Sequence, residues 1–305
     1  MTYEERLAAF NAHIESGGKV ETQDWMPDDY RRGVLKFIEM HANSEIMGAL
    51  PERECLPSAP SLQRKMSLCA KIQDEVGHAQ LLYRVAEDLG KARDTMFEDL
   101  VQGRSKFHNV FHYPVKHWGD VAIIGWLIDG AALVTQAALL DSSYAPYTRV
   151  LKRICSEEQL HLRHGEDITL ELASGTDAQR EMFQEALNRW WLAIIHFFGP
   201  RSNVEKDLLL KWKVKTRTNE DLRAEFLDRY VPKILELGFT FPTPVPHKDG
   251  EHWVIDDADI DWEPLEAVKR NEGPETKRRL TARREMYESH RWVRDALGEP
   301  SIHAA

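Results

Sequence analysis

Two short segments of the sequence carry the same two residue types at the same spacing. The segment IQDEVGH places Glu75 three residues before His78, and EEQLH places Glu158 three residues before His161. Residues three apart share one face of an α-helix, so each pair can direct a carboxylate and an imidazole at one point. A single Glu-x-x-His pair is usually part of a solvated helix face, but two pairs on facing helices can hold two metal ions with bridging carboxylates.

A bundle site of this kind needs one more acidic residue from each of two other helices. Glu45 lies 30 residues before Glu75, and Asp129 lies 29 residues before Glu158. The repeated order of acid, spacer and Glu-x-x-His pair predicts a dinuclear metal site. Oxygen and imidazole ligands suit iron or manganese, and we favour iron because such bundles usually activate oxygen at an open di-iron site.

Four long helices are predicted to position these residues. Apolar spacing and helix-end signals give the four helices as residues 28–51, 61–90, 117–141 and 146–173. Pro51 is expected to end the first. An extended crossover separates the first pair from the second, which is typical of ferritin-like bundles. The predicted fold class is therefore all-α, a ferritin-like four-helix bundle with additional helices and a small C-terminal extension.

The composition changes near residue 240. Further helices are expected at about 177–198 and 218–237, and from Phe241 the sequence becomes rich in turn residues. We predict a ferritin-like di-iron domain over residues 1–240. Residues 241–305 are predicted to form an extension, with a short hairpin in HWVIDDADIDW and a charged helix over 275–297, packed on the bundle or on a partner.

Bulk composition indicates a soluble protein. The formal charge is −10 and the pI is about 5.7, so no basic surface for nucleic acid is expected. Three cysteines without a CxxC pair, and an N-terminus without a signal peptide, predict a cytoplasmic protein. Residues 121–140 are long and apolar enough for a membrane span. Asp129 and Gln136 near their middle instead favour a buried helix of a soluble bundle, with no membrane partner.

Several polar residues lie near the predicted site. Lys71 is one helical turn before Glu75 and can reach the ligand carboxylates, although a lysine extending from a helix surface fits the pattern equally well. His164 is expected to be an ordinary polar residue and His196 a hydrogen-bonded core histidine. The basic run KWKVKTR, residues 211–217, can be a solvated turn or a binding surface for anions.

Motifs along nearly the whole chain resemble one known family. In order, they are QDWMPDDYR, HANSEI, KIQDEVGHA, GWLIDGAA, SYAPY, WKVKTRTNEDLR and WVRDAL. They are similar to the catalytic A subunits of bacterial phenylacetyl-CoA epoxidase, a multicomponent monooxygenase of aerobic phenylacetate degradation. The resemblance implies a ferritin-like di-iron fold and explains the aspartate at position 129.

The resemblance also implies roles for individual residues. Glu45, Glu75 and His78 are expected to hold one iron, and Asp129, Glu158 and His161 the other. Lys71 and Glu52 match a lysine and an acid that bridge across the iron site. The implied substrate is phenylacetyl-CoA or a similar aryl-acyl-CoA, with candidate contacts at Lys36, Lys106, Phe111, Lys215 and Asn219.

The implied reaction transfers one atom of O2 to the aromatic ring of the thioester, giving a ring epoxide, and the other atom leaves as water. The chain has no GxGxxG fingerprint and no cysteine set for an iron–sulfur cluster. Electrons from NADPH are therefore expected to arrive through a separate flavin/iron–sulfur reductase. The other implied partners are a homologous, non-catalytic C-type subunit, together with a small B subunit.

Two alternatives stay open. One is a related di-iron oxygenase acting on another acyl-CoA, and the other is a non-catalytic or iron-handling ferritin-like subunit. The segment RSNVEKDLLL departs from the family pattern, and residues 104–113 contain more histidine than is usual there. Because these segments are expected to border the substrate, they leave the acyl group open.

Overall fold

A computed structural model describes residues 1–296 as a helical protein, which confirms the all-α, ferritin-like fold class. Its helices are α1 (Tyr3–Glu15), α2 (Asp28–Cys55), α3 (Leu62–Glu87), α4 (Arg93–Val101), α5 (Trp118–Ile123), α6 (Asp129–Leu139), α7 (Ala145–Ala173), α8 (Asp177–Phe198), α9 (Leu208–Lys211), α10 (Asn219–Glu236), α11 (Glu263–Lys269), α12 (Thr276–Ser289) and α13 (Arg291–Ala296). A two-stranded antiparallel hairpin consists of β1 (His247–Asp249) and β2 (His252–Val254).

Four rods form the central bundle. They are α2, α3, α7, and a continuous rod in which the π-helical turn Ile124–Ile128 joins α5 to α6. Helix α2 packs along α3, and α7 packs against α3, α6 and the π turn. Helix α8 covers α5 from outside, and α10 contacts both α6 and α8. The long α4-containing crossover connects the two halves of the bundle, as the sequence predicts.

The apolar rod Trp118–Leu139 is the one helix in residues 1–296 that is long and apolar enough to cross a membrane. The structure buries 78% of its most apolar window inside the protein. Its side chains form the larger core cluster together with those of α8 and α10. The rod is therefore the central core helix, in agreement with the sequence-based expectation.

A close approach of two glycines fixes this rod against α7. A Cβ atom built on Gly165 would lie 2.0 Å from the carbonyl carbon of Gly125, at the start of the π turn. Because neither glycine has a Cβ atom, the two backbones can pack against each other here. The contact lies one turn beyond His161 and one turn before Asp129, so it sets the spacing of two candidate metal ligands.

Some predicted boundaries are wrong. Pro51 does not end α2, which continues to Cys55 with Glu52 and Cys55 buried against the bundle. Tertiary contacts of this last turn outweigh the loss of one backbone hydrogen bond at proline. Helices α1 and α4 were not predicted. The charged helix after residue 275 is divided at His290 into α12 and α13.

The hairpin also lies earlier than predicted. Its strands pair His247 with Val254 and Asp249 with His252, around Gly250 at φ 61°. A glycine with positive φ allows the tight turn. The acidic part of the predicted hairpin forms a 3₁₀ turn, Asp257–Asp259.

The described part of the C-terminal extension packs on the bundle. The guanidinium of Arg279 donates to the Phe111 carbonyl, and that of Arg283 donates to the Ile46 carbonyl in α2. The division of the chain into domains at residue 240 stays a prediction. The end of the predicted extension, residues 297–305, lies outside the described residues.

Candidate metal centre

The structure brings the six predicted metal ligands together inside the bundle. Helix α2 supplies Glu45, α3 supplies Glu75 and His78, the first residue of α6 is Asp129, and α7 supplies Glu158 and His161. All six side chains are buried. They form two groups whose possible ligand atoms lie within 4.8 Å of one another, and Glu158 belongs to both.

Both imidazoles direct Nδ1 at the carboxylates. His78 Nδ1 lies 3.3 Å from Glu158 Oε1 and 3.4 Å from Glu45 Oε2. His161 Nδ1 lies 3.2 Å from Glu158 Oε2 and 3.6 Å from Glu75 Oε1. Glu75 and Glu158 therefore face both halves of the centre, which suits carboxylates that bridge two cations.

The outer nitrogen of each histidine contacts an acid that the sequence analysis missed. His78 Nε2 lies 2.9 Å from Glu157 Oε2, and His161 Nε2 lies 3.1 Å from Asp74 Oδ2. Each acid precedes the glutamate of one motif and contacts the histidine of the other. Such carboxylates fix the tautomer and orientation of a metal-binding imidazole. The available signal was the acidic pair in QDEVGH and SEEQLH.

The buried cluster contains more carboxylates than positively charged groups, and several pKa values are shifted there. Burial raises the pKa of Glu75 well above its usual range, and the charges of Glu158 and Glu45 raise it further. Burial also raises the pKa of Asp129 to about 7. Burial alone lowers the pKa of His78, but the neighbouring carboxylates of Glu158 and Glu45 outweigh it and raise the pKa to about 10. Buried carboxylates need compensating positive charge, either protons or metal ions.

The donor set fits metal ions. Glu45 Oε2 and His78 Nδ1 are buried and have no hydrogen-bond partner within residues 1–296. Both are atoms that point into the centre and can bind a cation. Four carboxylates and two imidazoles match the ligands of a ferritin-like dinuclear site, and the set lacks the thiolates that favour zinc or copper(I).

Lys71 is buried beside this cluster. Its ammonium donates to Glu52 in α2, and it lies 2.7 Å from Asp129 Oδ2 and 3.5 Å from Glu75 Oε1. Its side chain does not extend to solvent, so the alternative of a surface lysine is excluded by the geometry. Lys71 is positioned to balance part of the negative charge and to connect α2, α3 and α6.

A cavity of about 280 Å³ opens directly onto the cluster. Its apolar walls include Phe37, Met40, Phe111, Ile124, Ile128, Ala132, Leu139, Phe197, Phe198 and Leu222. Along α6 the lining residues run from Asp129 to Leu139, a distance of about 15 Å at 1.5 Å per residue. Lys215, Thr216 and Asn219 line the other end, where the Thr216 hydroxyl donates to the Ala138 carbonyl at 2.6 Å.

The five predicted substrate contacts divide into two sets. Phe111, Lys215 and Asn219 line the cavity. Lys36 and Lys106 are exposed and are not among its lining residues. Lys106 donates to the Asn271 side chain at 3.3 Å, on the side of the C-terminal extension.

A polar network in the cavity wall was also missed. His41 Nε2 lies 2.9 Å from Glu45 Oε1, and His41 Nδ1 lies 2.7 Å from the Tyr147 hydroxyl. Gln136 lies 3.3 Å from His41 Nε2. The network orients Glu45 from outside the metal centre. His41 lies four residues before Glu45 in α2, but no sequence spacing connects this pair with Gln136 of α6 or Tyr147 of α7.

The two remaining histidines of the sequence analysis lie outside the centre. His196 is buried, and its Nε2 contacts the Asp261 carbonyl at 2.7 Å, as expected for a core histidine. His164 is half-buried and belongs to neither metal-binding group.

Comparisons with known proteins identify the family. A family model described as phenylacetic acid catabolic protein matches residues 3–292. The chain is 43% identical over 298 residues to a protein of Escherichia coli strain K12 whose name is that of the A subunit of 1,2-phenylacetyl-CoA epoxidase. That alignment covers 97% of this chain and 96% of the relative. The relative's name designates it as one subunit of an enzyme that consists of several subunits. The resemblance seen in the motifs is thus confirmed, and the chain belongs to the phenylacetic acid catabolic protein family.

Proposed function

We propose that the chain is the oxygenase subunit of a di-iron monooxygenase that epoxidises the aromatic ring of phenylacetyl-CoA. The observation that carries this proposal is the cavity between a buried carboxylate–histidine cluster and a basic loop. A relative covering nearly the whole chain bears the name of that activity. The balanced reaction consumes phenylacetyl-CoA, O2, NADPH and a proton, and it yields the ring epoxide, water and NADP⁺.

Iron is the proposed metal. Glu45, Glu75 and His78 would hold one ion, and Asp129, Glu158 and His161 the other, with Glu158 within reach of both. Bound iron would supply the activation of O2, which amino-acid side chains cannot perform. Asp74 and Glu157 would keep both imidazoles oriented with Nδ1 inward.

Lys71 and Glu52 are proposed to close the inner end of the site. The buried lysine holds Glu52 and Asp129 together across two helices. Its charge stabilises a carboxylate-rich pocket before and after the metal ions bind. The surrounding phenylalanines exclude water, which protects the reacting ring from side reactions.

The basic end of the cavity is proposed to bind coenzyme A. Lys215, Thr216 and Arg217 also line an adjoining surface groove of about 670 Å³ that includes Lys211 and Lys213. Four basic and two acidic side chains line this groove, in a chain whose net charge is −10. The groove suits the phosphates of the coenzyme, while the acyl group extends inward to the metals.

Further subunits are proposed to complete the enzyme. A flavin/iron–sulfur reductase would deliver electrons from NADPH, and C-type and B-type subunits would assemble with this chain. The three cysteines are free thiols, which suits a reducing cytoplasm.

A reconstituted assay tests the proposal. The iron-loaded chain, with its partner subunits and reductase, should convert phenylacetyl-CoA to the epoxide with matching consumption of O2 and NADPH. The chain alone should show no NADPH-dependent turnover. An inactive iron-loaded complex would refute the proposed reaction, and turnover by the chain alone would refute the need for a reductase. Assaying a panel of acyl-CoA thioesters separates this proposal from an oxygenase of another acyl-CoA.

A further inference from the structure

Phe111 lines the cavity, yet it belongs to a short turn of the crossover and not to a bundle helix. The turn is the 3₁₀ segment Asn109–His112. A 3₁₀ turn of this length has few internal hydrogen bonds, so its position depends on contacts with other segments. At its start, the Asn109 side chain anchors the turn to α8 by donating to the Ala193 carbonyl at 2.8 Å.

The end of the turn is held by the C-terminal extension. The Glu275 backbone N–H donates to the His112 carbonyl at 2.9 Å, and His112 Nδ1 lies 2.5 Å from Thr276 Oγ1. A Cβ atom built on Gly273 would lie 2.8 Å from the Cβ atom of His112, so the glycine allows the two segments to pack closely. The segment that begins α12 therefore fixes the turn from outside the bundle.

A buried arginine of α12 contacts the backbone of Phe111 itself. Arg279 is 1% exposed, and its Nη1 donates to the Phe111 carbonyl at 2.5 Å. Its Nε and Nη2 have no hydrogen-bond partner within residues 1–296. Burial lowers the pKa of this guanidinium to about 10, so it is still charged at pH 7. Burying such a charge is costly, and the hydrogen bond to Phe111 offsets part of that cost.

The Phe111 ring packs against the metal-binding helix α2. A Cβ atom built on Gly48 would lie 3.0 Å from Cε1 and Cζ of Phe111, and Gly48 is about one helical turn beyond the candidate ligand Glu45. Both Gly48 and Phe111 line the cavity. Leu280 of α12 and the Phe111 ring pack on one apolar cluster, which consists of Met47, Leu50, Leu100 and Phe107. A shift of the 3₁₀ turn would therefore move an aromatic ring in the cavity wall.

We propose that the C-terminal extension sets the shape of the substrate cavity by holding the turn Asn109–His112, with Arg279 as the positioning residue for Phe111. This inference rests on the proposed function, in which the cavity receives the acyl group of the thioester. It deepens that function by assigning part of the recognition of the acyl group to a segment outside the bundle. Arg279 acts through Phe111 and does not itself line the cavity.

Equilibrium binding to the full-length, iron-loaded chain, measured by calorimetry without reductant, tests the inference. The probes are phenylacetyl-CoA and free coenzyme A, and the affinity advantage of the thioester isolates the contribution of the acyl group. Arg279→Met should reduce this advantage about tenfold, as expected for coupled neighbours. Arg279→Lys should retain most of it, because an ammonium can still donate to the Phe111 carbonyl. Iron content and the affinity for free coenzyme A should stay at wild-type values in both variants.

Arg283→Met is the matched control. Arg283 lies one turn further along α12 and donates to the Ile46 carbonyl of α2 at 2.8 Å, so its loss removes a similar contact of the extension away from the turn. This variant should keep the affinity advantage. Thr276→Val removes the contact to His112 without changing a charge, and it should reduce the advantage in the same direction as Arg279→Met.

A double-mutant cycle shows whether Arg279 acts through the aromatic ring. Phe111→Ala alone should reduce the affinity advantage of phenylacetyl-CoA, since it removes part of the cavity wall. Adding Arg279→Met to Phe111→Ala should then cause no further loss. A purely structural role of Arg279 would instead give effects that add.

The outcomes are distinguishable. If Arg279→Met keeps the affinity advantage, if Arg283→Met reduces it equally, or if the effects in the cycle add, the inference is wrong while the proposed function stands. If phenylacetyl-CoA binds folded, iron-loaded wild type no more tightly than free coenzyme A, the proposed function fails and the inference fails with it. Thermal unfolding verifies that each variant is folded, and Thr276→Val decides the question if Arg279→Met is not.

Discussion

Replacing Gly165 by alanine should displace α7 and disrupt the metal centre. The new Cβ would lie 2.0 Å from the Gly125 carbonyl carbon and 2.4 Å from the Trp126 nitrogen, whereas ordinary contacts begin at 3.4 Å. The backbones must separate by about 1.4 Å, because backbone atoms cannot rotate away. We expect a loss of about 3 kcal/mol in unfolding free energy, the upper part of the range for overpacked cores. Metal ligands tolerate errors of only about 0.2 Å, so iron content should also fall.

Gly77→Ala is the matched control. Gly77 lies in the interior of α3, next to His78, and a Cβ built there meets no atom within 4 Å. Alanine favours a helix interior over glycine by about 1 kcal/mol, so this variant should be more stable and should retain its iron. Urea denaturation and metal analysis of both variants measure the effects. Equal stability of Gly165→Ala and wild type would refute the close helix contact on which the reasoning depends.

Three further predictions concern charged and polar contacts. Lys71→Met should lower the unfolding free energy of the metal-free chain by about 3–5 kcal/mol, because it leaves buried carboxylates unpaired; in urea denaturation, bound iron should reduce this loss. Asp74→Asn and Glu157→Gln should each weaken iron binding about 10-fold to 100-fold in chelator competition, since each releases one imidazole. Burial lowers the pKa of His112 to about 3, so its neutral form contributes stability that is complete above pH 6.5. That contribution should decrease by about 1.4 kcal/mol per pH unit between pH 6.5 and 3, and His112→Gln should remove this part of the slope in denaturation curves measured against pH.

The sequence predicted the parts of the molecule that follow from helical periodicity. The spacing of Glu75 to His78 and of Glu158 to His161 places each pair on one buried helix face, and the structure has them there. The repeated sequence separation from acid to Glu-x-x-His pair also identified Glu45 and Asp129. Two consecutive antiparallel helices of similar length bring such residues to the same height in the bundle. The four bundle helices differ from their predicted bounds by a few residues at most ends.

Features that depend on contacts between distant segments were not predictable. Pro51 was expected to end a helix, but the burial of the following turn decides where α2 ends. The approach of Gly125 to Gly165 and the contact from His41 to Tyr147 arise only when α2, the π turn and α7 pack together.

Iron content with an optical spectrum tests the central claim most directly. The comparison is wild type, Glu158→Ala and the matched variant Glu171→Ala, which removes a half-exposed glutamate from the same helix. About two irons per chain are expected in wild type and in Glu171→Ala. Glu158→Ala should lose them, because Glu158 belongs to both metal-binding groups. Wild-type protein that stays iron-free after anaerobic reconstitution with ferrous iron would contradict the claim that the paired motifs form a metal centre.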